Sequence, residues 1–318
     1  MTHPTRVRTA VVIPVYQARY LDECLASVFA QTYAPDEVIV VDDGSPDREA
    51  IDRVIQRVDA IVRLRREVRL LRQENAGAGA ARNYGILSTD AELVAFLDAD
   101  DLWAPSLLDT LVAHLRDTPD VDLVYANGLH IGDGPLVGTQ LMDGAPSVGP
   151  VTVEALLAQR CTVFTSSTVV RRRALVEVGL FDEDLRRGQD FDLWVRLASL
   201  GKRIEYLTDA LMMRRVHQQN LSGDRVSELE RAAAVLMKLS TKLRLSECQR
   251  DVLDRQVRTL TASIDTEHGK RSLARGDLAD AQVRFSRAAR ARAGWKSQLV
   301  HLGLTVAPSL TRQLYLRW

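Results

Sequence analysis

Neither sign of charge prevails in this chain: Lys and Arg number 42, Asp and Glu number 42, and the formal charge is zero. Without a basic excess, composition gives no sign of nucleic acid as a partner, and an acidic ligand must be met by local features. Cysteine is scarce as well. Cys24, Cys161 and Cys248 lie far apart with no CxxC pair, which argues against a disulfide framework or a thiolate metal site and fits a reducing compartment. No apolar run approaches the ~18 residues that a membrane span needs. The run that follows Arg6 and Arg8, Ala10 to Val15, is broken by Pro14 and has no small-residue cleavage site, so it reads as a first strand and not as an export signal. Core material, by contrast, is ample. Of 318 residues 46% are apolar, enough for one large domain or for a domain plus an appendage.

Up to about Asp120, short β-branched runs alternate with helical patterns. Residues 10–13, 38–41, 68–71, 93–97 and 123–125 read as strands, apolar on both faces as in a buried parallel sheet. Leu21, Leu25, Val28 and Phe29 keep helical spacing, as do Ile51, Val54, Ile55 and Val58, which predicts a βαβ wrap. A helix is expected to start at Pro105. Gly128 to Pro150, rich in Gly and Pro, reads as a long surface excursion. A strand at 167–170, helices at 171–178 and 190–200 and an extended run at 203–215 follow. Past Asn220 only helices are predicted, with Leu229, Leu236 and Leu243 recurring at sevens. Gly276-Asp277 with Leu278, Ala281, Phe285 and Ala288 resembles one tetratricopeptide unit, but no second copy exists to bury its face, so plain helical packing is expected.

Five segments could carry chemistry. In Asp98-Ala99-Asp100-Asp101, strand alternation would point Asp98 and Asp100 the same way at the sheet's carboxyl edge, where two hard oxygens suit Mg²⁺ or Mn²⁺ on a diphosphate; alternatively these acids only start the next helix. In Val41-Asp42-Asp43-Gly44-Ser45, a carboxylate could take a base N–H or ribose hydroxyls, Gly44 allows a positive φ, and Ser45 or Asp47 could cap a helix. The small-residue run Asn75 to Gly85 either lets backbone approach a ligand, with Arg82 reaching the same edge, or only packs a helix on the sheet. In Gln189-Asp190-Phe191-Asp192, either acid could cap a helix, or Asp190 could deprotonate an incoming hydroxyl. Arg214, Arg215 and His217 could close over a diphosphate, imidazole on metal or phosphate and guanidinium on oxygen.

Taken in order, Ile13-Pro14-Val15-Tyr16, Val41 to Ser45, Ala81 to Gly85, Asp98 to Asp101, Gly179 to Asp182, Gly188 to Trp194 and His217 resemble the family-2 glycosyltransferases, over Thr9 to Ser222. The resemblance implies an α/β GT-A catalytic domain over residues 1–222 and an all-helical appendage over 223–318. It implies that Pro14, Val15, Tyr16, Asp43, Arg82 and Asp98 bind a nucleotide sugar, with a uridine diphosphate sugar the commonest donor, and Arg215 is expected to join them on the strength of its place beside His217. Asp100, Asp98 and His217 would hold Mn²⁺ or Mg²⁺. Asp190 matches the catalytic base, although the residue before it is Gln189 where the family usually has Glu. The acceptor implied is a glycan or lipid-linked glycan, and the reaction inverts the anomeric centre. A catalytically silent sugar-binding module is the competing class, and retention of Asp98, Asp100 and Asp190 together speaks against it. A nucleotidyltransferase would need a Gly-rich basic signature after the first strand, which Ile13 to Tyr16 lacks. The expected place is the cytoplasm. Leu299, Leu302, Leu304, Val306, Leu310, Leu314 and Leu316, among Lys296, Arg312, Arg317 and Trp318, suggest peripheral contact with the inner face of the membrane, or else a packed helix pair.

Overall fold

The computed structural model describes residues 6–62, 68–217, 225–291 and 295–315. The chain divides into two compact units, Met1–Leu221 and Ser222–Trp318. The boundary expected after Ser222 lies outside the described residues, as do Gln218 to Ser222 and Leu316 to Trp318.

The first unit runs β1 (Thr9–Val15), α1 (Leu21–Phe29), β2 (Glu37–Asp43), α2 (Arg48–Val62), β3 (Val68–Gln73), α3 (Ala78–Leu87), β4 (Leu93–Phe96), β5 (Leu102–Trp103), α4 (Leu107–Asp117) and β6 (Val121–Gly132). It continues with α5 (Leu141–Gly144), α6 (Val153–Leu157), β7 (Thr168–Arg171), α7 (Arg172–Glu177), α8 (Gln189–Ser199) and β8 (Arg203–Val216). The eight strands form one mixed sheet in the order β3-β2-β1-β4-β7-β6-β8-β5. β1 pairs in parallel with both β2 and β4, so every residue of Thr-Ala-Val-Val-Ile-Pro-Val is buried and the run carries no polar alternation. Antiparallel β7 is inserted between β4 and β6, and β6 pairs in parallel with β8.

Helix α3 lies tight on this sheet because of one residue. A Cβ on Gly85 would stand 2.4 Å from Val12 Cγ1 in β1, closer than any packed pair tolerates, so only glycine lets the helix approach this far. The small-residue run therefore does pack, as one of its two readings held. At the other end of the same layer, Gly44 has φ +70°, and a Cβ there would meet the Asn75 backbone nitrogen at 2.6 Å. Asp47 caps α2 by accepting from the Ala50 N–H at 2.9 Å.

Three expectations are corrected. The helix expected from Pro105 begins at Leu107, after Ser106. The excursion expected from Gly128 begins only after Gly132, because β8 offers β6 a partner through Val216, a pairing that local composition does not announce. β5, two residues long, was not expected at all; it pairs with Met212 and Met213 of β8 and pins the acidic turn to that strand.

The second unit contains α9 (Arg225–Lys242), α10 (Glu247–Arg275), α11 (Leu278–Arg290), α12 (Trp295–Val306) and α13 (Pro308–Tyr315). Leu236 and Leu239 are buried on α9, whereas Leu243 falls past its end. α10 ends at Gly276 in the left-handed conformation, and Asp277 then caps α11. Leu273, Ala281, Phe285 and Leu304 form the core of this helical packing.

Candidate active site

The parallel strands β1, β2 and β4 end side by side, and the chain leaving each of them lines one cleft of 740 Å³. That volume lies in the range of small-molecule sites. Pro14, Val15 and Tyr16 come from the end of β1, Asp43 from β2, Arg82 from α3, Asp98 and Asp100 from the turn after β4, Asp190 from α8, and His217 follows β8. Of the residues expected from sequence to bind the donor, hold the metal or act as base, Arg214 and Arg215 are missing from the lining.

Asp43 is 5% exposed and bonded almost to capacity. Its Oδ1 accepts from Gln73 Nε2 and the Ala76 N–H, both at 2.8 Å, and its Oδ2 from the Gly77 N–H at 2.9 Å. The carboxylate thus fastens the loop entering α3 before it meets any ligand, with one acceptor position left on Oδ2. Asp42, fully buried, instead accepts from the Ser45 N–H at 2.8 Å and shapes the turn at Gly44.

β4 ends at Phe96, so the acids after it are not on a strand, and alternation is not what brings them together. A turn does this, closed by the Asp101 N–H on the Asp98 carbonyl at 3.0 Å. Asp98 turns its Oδ1 to the Arg82 guanidinium. Asp100 places Oδ2 3.2 Å from His217 Nε2. Asp101, buried, accepts from the Arg215 N–H at 2.9 Å, and burial together with Asp100 and Asp98 pushes its pKa up to about 8. Burial beside the same three acids also raises the Cys24 thiol well above its ordinary value, so this cysteine is a weak nucleophile.

Arg82 is 4% exposed. Among the described residues its Nε and Nη1 have no hydrogen-bond partner, although a buried guanidinium is costly to leave half satisfied. His217 Nδ1 is likewise buried and, among the described residues, without a hydrogen-bond partner. Arg215 does not reach the cleft: its Nε donates to the Asp100 carbonyl at 3.1 Å, it pairs with Glu23 at 2.7 Å, and it lies 4.2 Å above the Tyr20 ring. These contacts tie the backbone of the acidic turn at Asp100 to β8 and, through Glu23, to α1.

The two acids of α8 separate. Asp190, at the start of the helix, accepts from Thr165 Oγ1 at 3.3 Å and from the Phe191 N–H at 2.8 Å and faces the cleft. Asp192 has no exposed surface and pairs with Arg196 at 2.7 Å, so it belongs to the core. Arg19 and Tyr20 line the cleft unforeseen. Arg187 lines it too and opens the motif that runs on through Asp190, although no role was set for it, whereas nothing local marks Tyr20.

The ligand set expected for a metal, Asp98, Asp100 and His217, is not assembled: Asp98 is turned toward Arg82, and among the described residues no cluster of three metal-ligating groups stands together. Asp100 and His217 alone do suit a divalent cation, being a carboxylate and an imidazole in contact, the latter buried with a spare nitrogen. Ions of this class often take one or two protein ligands and fill their shell with phosphate oxygens and water.

The sequence profile described as glycosyl transferase family 2 matches residues 10–179. An uncharacterized glycosyltransferase of Rickettsia conorii is 29% identical over 213 residues, which are 66% of this chain and 34% of that relative, so this chain spans little more than a third of its length. The mannosyltransferase PcManGT from Pyrobaculum calidifontis, solved in complex with GDP-Man and Mn2+, superposes with a TM-score of 0.62 at 20% identity, covering 99% of this chain and 88% of that one. S. aureus TarS 1-349 in complex with UDP-GlcNAc gives 0.59 at 19% identity, covering 97% and 89%. These likenesses show the fold: a mixed α/β domain of GT-A type followed by the helices α9–α13.

Proposed function

The chain belongs to glycosyl transferase family 2, and we propose that it is an inverting glycosyltransferase. It moves a sugar from a nucleoside diphosphate sugar, of the uridine type, to a hydroxyl of a glycan or lipid-linked glycan. The observation that carries this reading is the meeting, in one cleft, of a buried guanidinium with two nitrogens unpartnered among the described residues and a carboxylate of α8 held by Thr165.

Each residue then has a task set by its surroundings. Pro14, Val15 and Tyr16 line the nucleoside end, where Asp43 keeps its last acceptor position. Arg82 offers Nε and Nη1 to diphosphate oxygens, a charge-assisted contact that its burial strengthens. Asp190, steadied by Thr165 and by the Phe191 N–H, keeps lone pairs for the acceptor. The acceptor hydroxyl gives its proton to Asp190 as its oxygen bonds to C1 of the sugar, from the face opposite the diphosphate. The bond from C1 to the phosphate oxygen breaks, and its electron pair leaves with the nucleoside diphosphate. Mn²⁺ or Mg²⁺, held at Asp100 and His217, would neutralise charge gathering on that diphosphate. Free Cys24, Cys161 and Cys248 support a cytoplasmic setting, where such donors are made.

The reading is tested by offering the purified chain, with Mn²⁺, a panel of uridine, guanosine and other nucleotide sugars. Slow release of nucleoside diphosphate from one donor, with binding of that donor in calorimetry, is the expected result. A chain that neither binds nor cleaves any of them is not such an enzyme.

A further inference from the structure

The helices α12 and α13 of the second unit carry a feature that the reaction does not use. Trp295, Leu299, Leu302 and Val306 recur along α12 at intervals of four, three and four, and are 64, 57, 60 and 76% exposed. Leu310 and Leu314 add a further turn on α13, 55 and 53% exposed. This spacing puts the α12 residues on one helical face. The face is not turned outward for want of packing, because α12 already buries Ser297 and Leu304 on its other side. α13 is held too: Arg312 donates to the Leu273 and Ala274 carbonyls at 2.8 and 3.2 Å, and Gly303 admits Thr311 so closely that a Cβ would stand 2.6 Å from its hydroxyl. The expected stripe is thereby corrected at Leu304, which is core.

Charge names the occupant. Residues 281–318 hold seven Arg and Lys and not one Asp or Glu. Arg284 is answered by Asp265 and Asp280, but Arg287, Arg290 and Lys296 are exposed and have no ion-pair partner among the described residues. A second copy set face to face would bring these cations together with no acid of the segment to meet them. We propose that α12 and α13 form a docking surface for an anionic lipid bilayer, the apolar stripe entering the headgroup region and the cations meeting lipid phosphates. Contact of this kind lies in the plane of the membrane, since no described helix is long and apolar enough to cross one. Attraction to the anionic surface falls off within a Debye length, so it weakens as salt rises.

The test is flotation of the full chain with vesicles of phosphatidylcholine alone and of phosphatidylcholine mixed with phosphatidylglycerol. The full chain should float with the anionic vesicles in low salt, stay below with the neutral ones, and be released by high salt. Leu299→Glu with Leu302→Glu should abolish flotation, and Arg287→Glu with Arg290→Glu should reduce it at least tenfold, both with unchanged circular dichroism. Binding to neither vesicle overturns the proposal, as does equal binding to both, or flotation that survives both pairs of substitutions. A dimer in solution that the leucine substitutions dissociate would assign the face to a second copy instead. The result is independent of whether any donor is cleaved.

Discussion

Asp192→Asn separates the two acids of α8 most sharply. The substitution keeps the shape of the side chain and removes its charge. Asp192 has no exposed surface; its Oδ2 accepts from Arg196 Nε at 2.7 Å and stands at the same distance from Nη2 in the ion pair. Arg196, 12% exposed, also donates to the Val178 and Leu180 carbonyls at 2.8 and 2.7 Å, so it ties α8 to the turn after α7. Breaking a buried pair by removing one partner costs about 3–5 kcal/mol. The low end applies here, because Arg196 keeps two carbonyl acceptors and an amide oxygen still faces it. A loss of about 3 kcal/mol is roughly a hundredfold in the folded-to-unfolded ratio and lowers the melting temperature of a domain this size by ~6–12 °C. Calorimetry reads it on the transition that bound donor raises, since a ligand of the folded state marks the unit that binds it. Below that transition the variant should bind donor as the parent does. A shift under ~0.5 kcal/mol, or a stable variant that has lost donor affinity, would refute the placing of Asp192 in the core and not at the site.

Asp190→Asn should invert this pattern, leaving stability and donor binding as they were while transfer falls ~10²-fold or more, the scale of general-base catalysis; unchanged transfer rates would move the role to another acid. Asp100→Asn, or chelation of the parent, should abolish turnover and weaken binding of the nucleoside diphosphate in calorimetry, and full activity in excess chelator would remove the metal from the scheme. Gly85→Ala should destabilise by about 1–3 kcal/mol in urea unfolding, because the methyl group overpacks the layer against Val12 by more than helix propensity returns; a variant as stable as the parent would show that α3 can lift off at no cost.

Those parts of the fold were legible whose signal is local. The run Ala10 to Val15 announces a strand buried on both faces, and Asp47 announces a cap, because each depends on neighbours in sequence. β5 and the far half of β6 were not legible, since two residues carry no period and Gly128 to Gly132 is extended only because β8 lies alongside. In the site, the residue types were readable and their partners were not. Asp98 and Asp100 share the cleft through a turn that local alternation misread, Arg215 is drawn to Glu23 from 192 positions away, and Tyr20 reaches the site through contacts with Arg215 and His217 that lie far off in sequence.

The contact of Gly85 with Val12 reaches beyond a single substitution. Between helix and sheet there is room for one side chain at this point, and the valine fills it. The two positions therefore share a fixed volume, and drift at one is open only to a chain that has already changed the other. Val12→Ala should vacate the space that Gly85→Ala claims, so that the double variant is more stable than the sum of its parts. Across lineages the pair would then be expected to change size in opposite directions, a record of the layer spacing written in two columns.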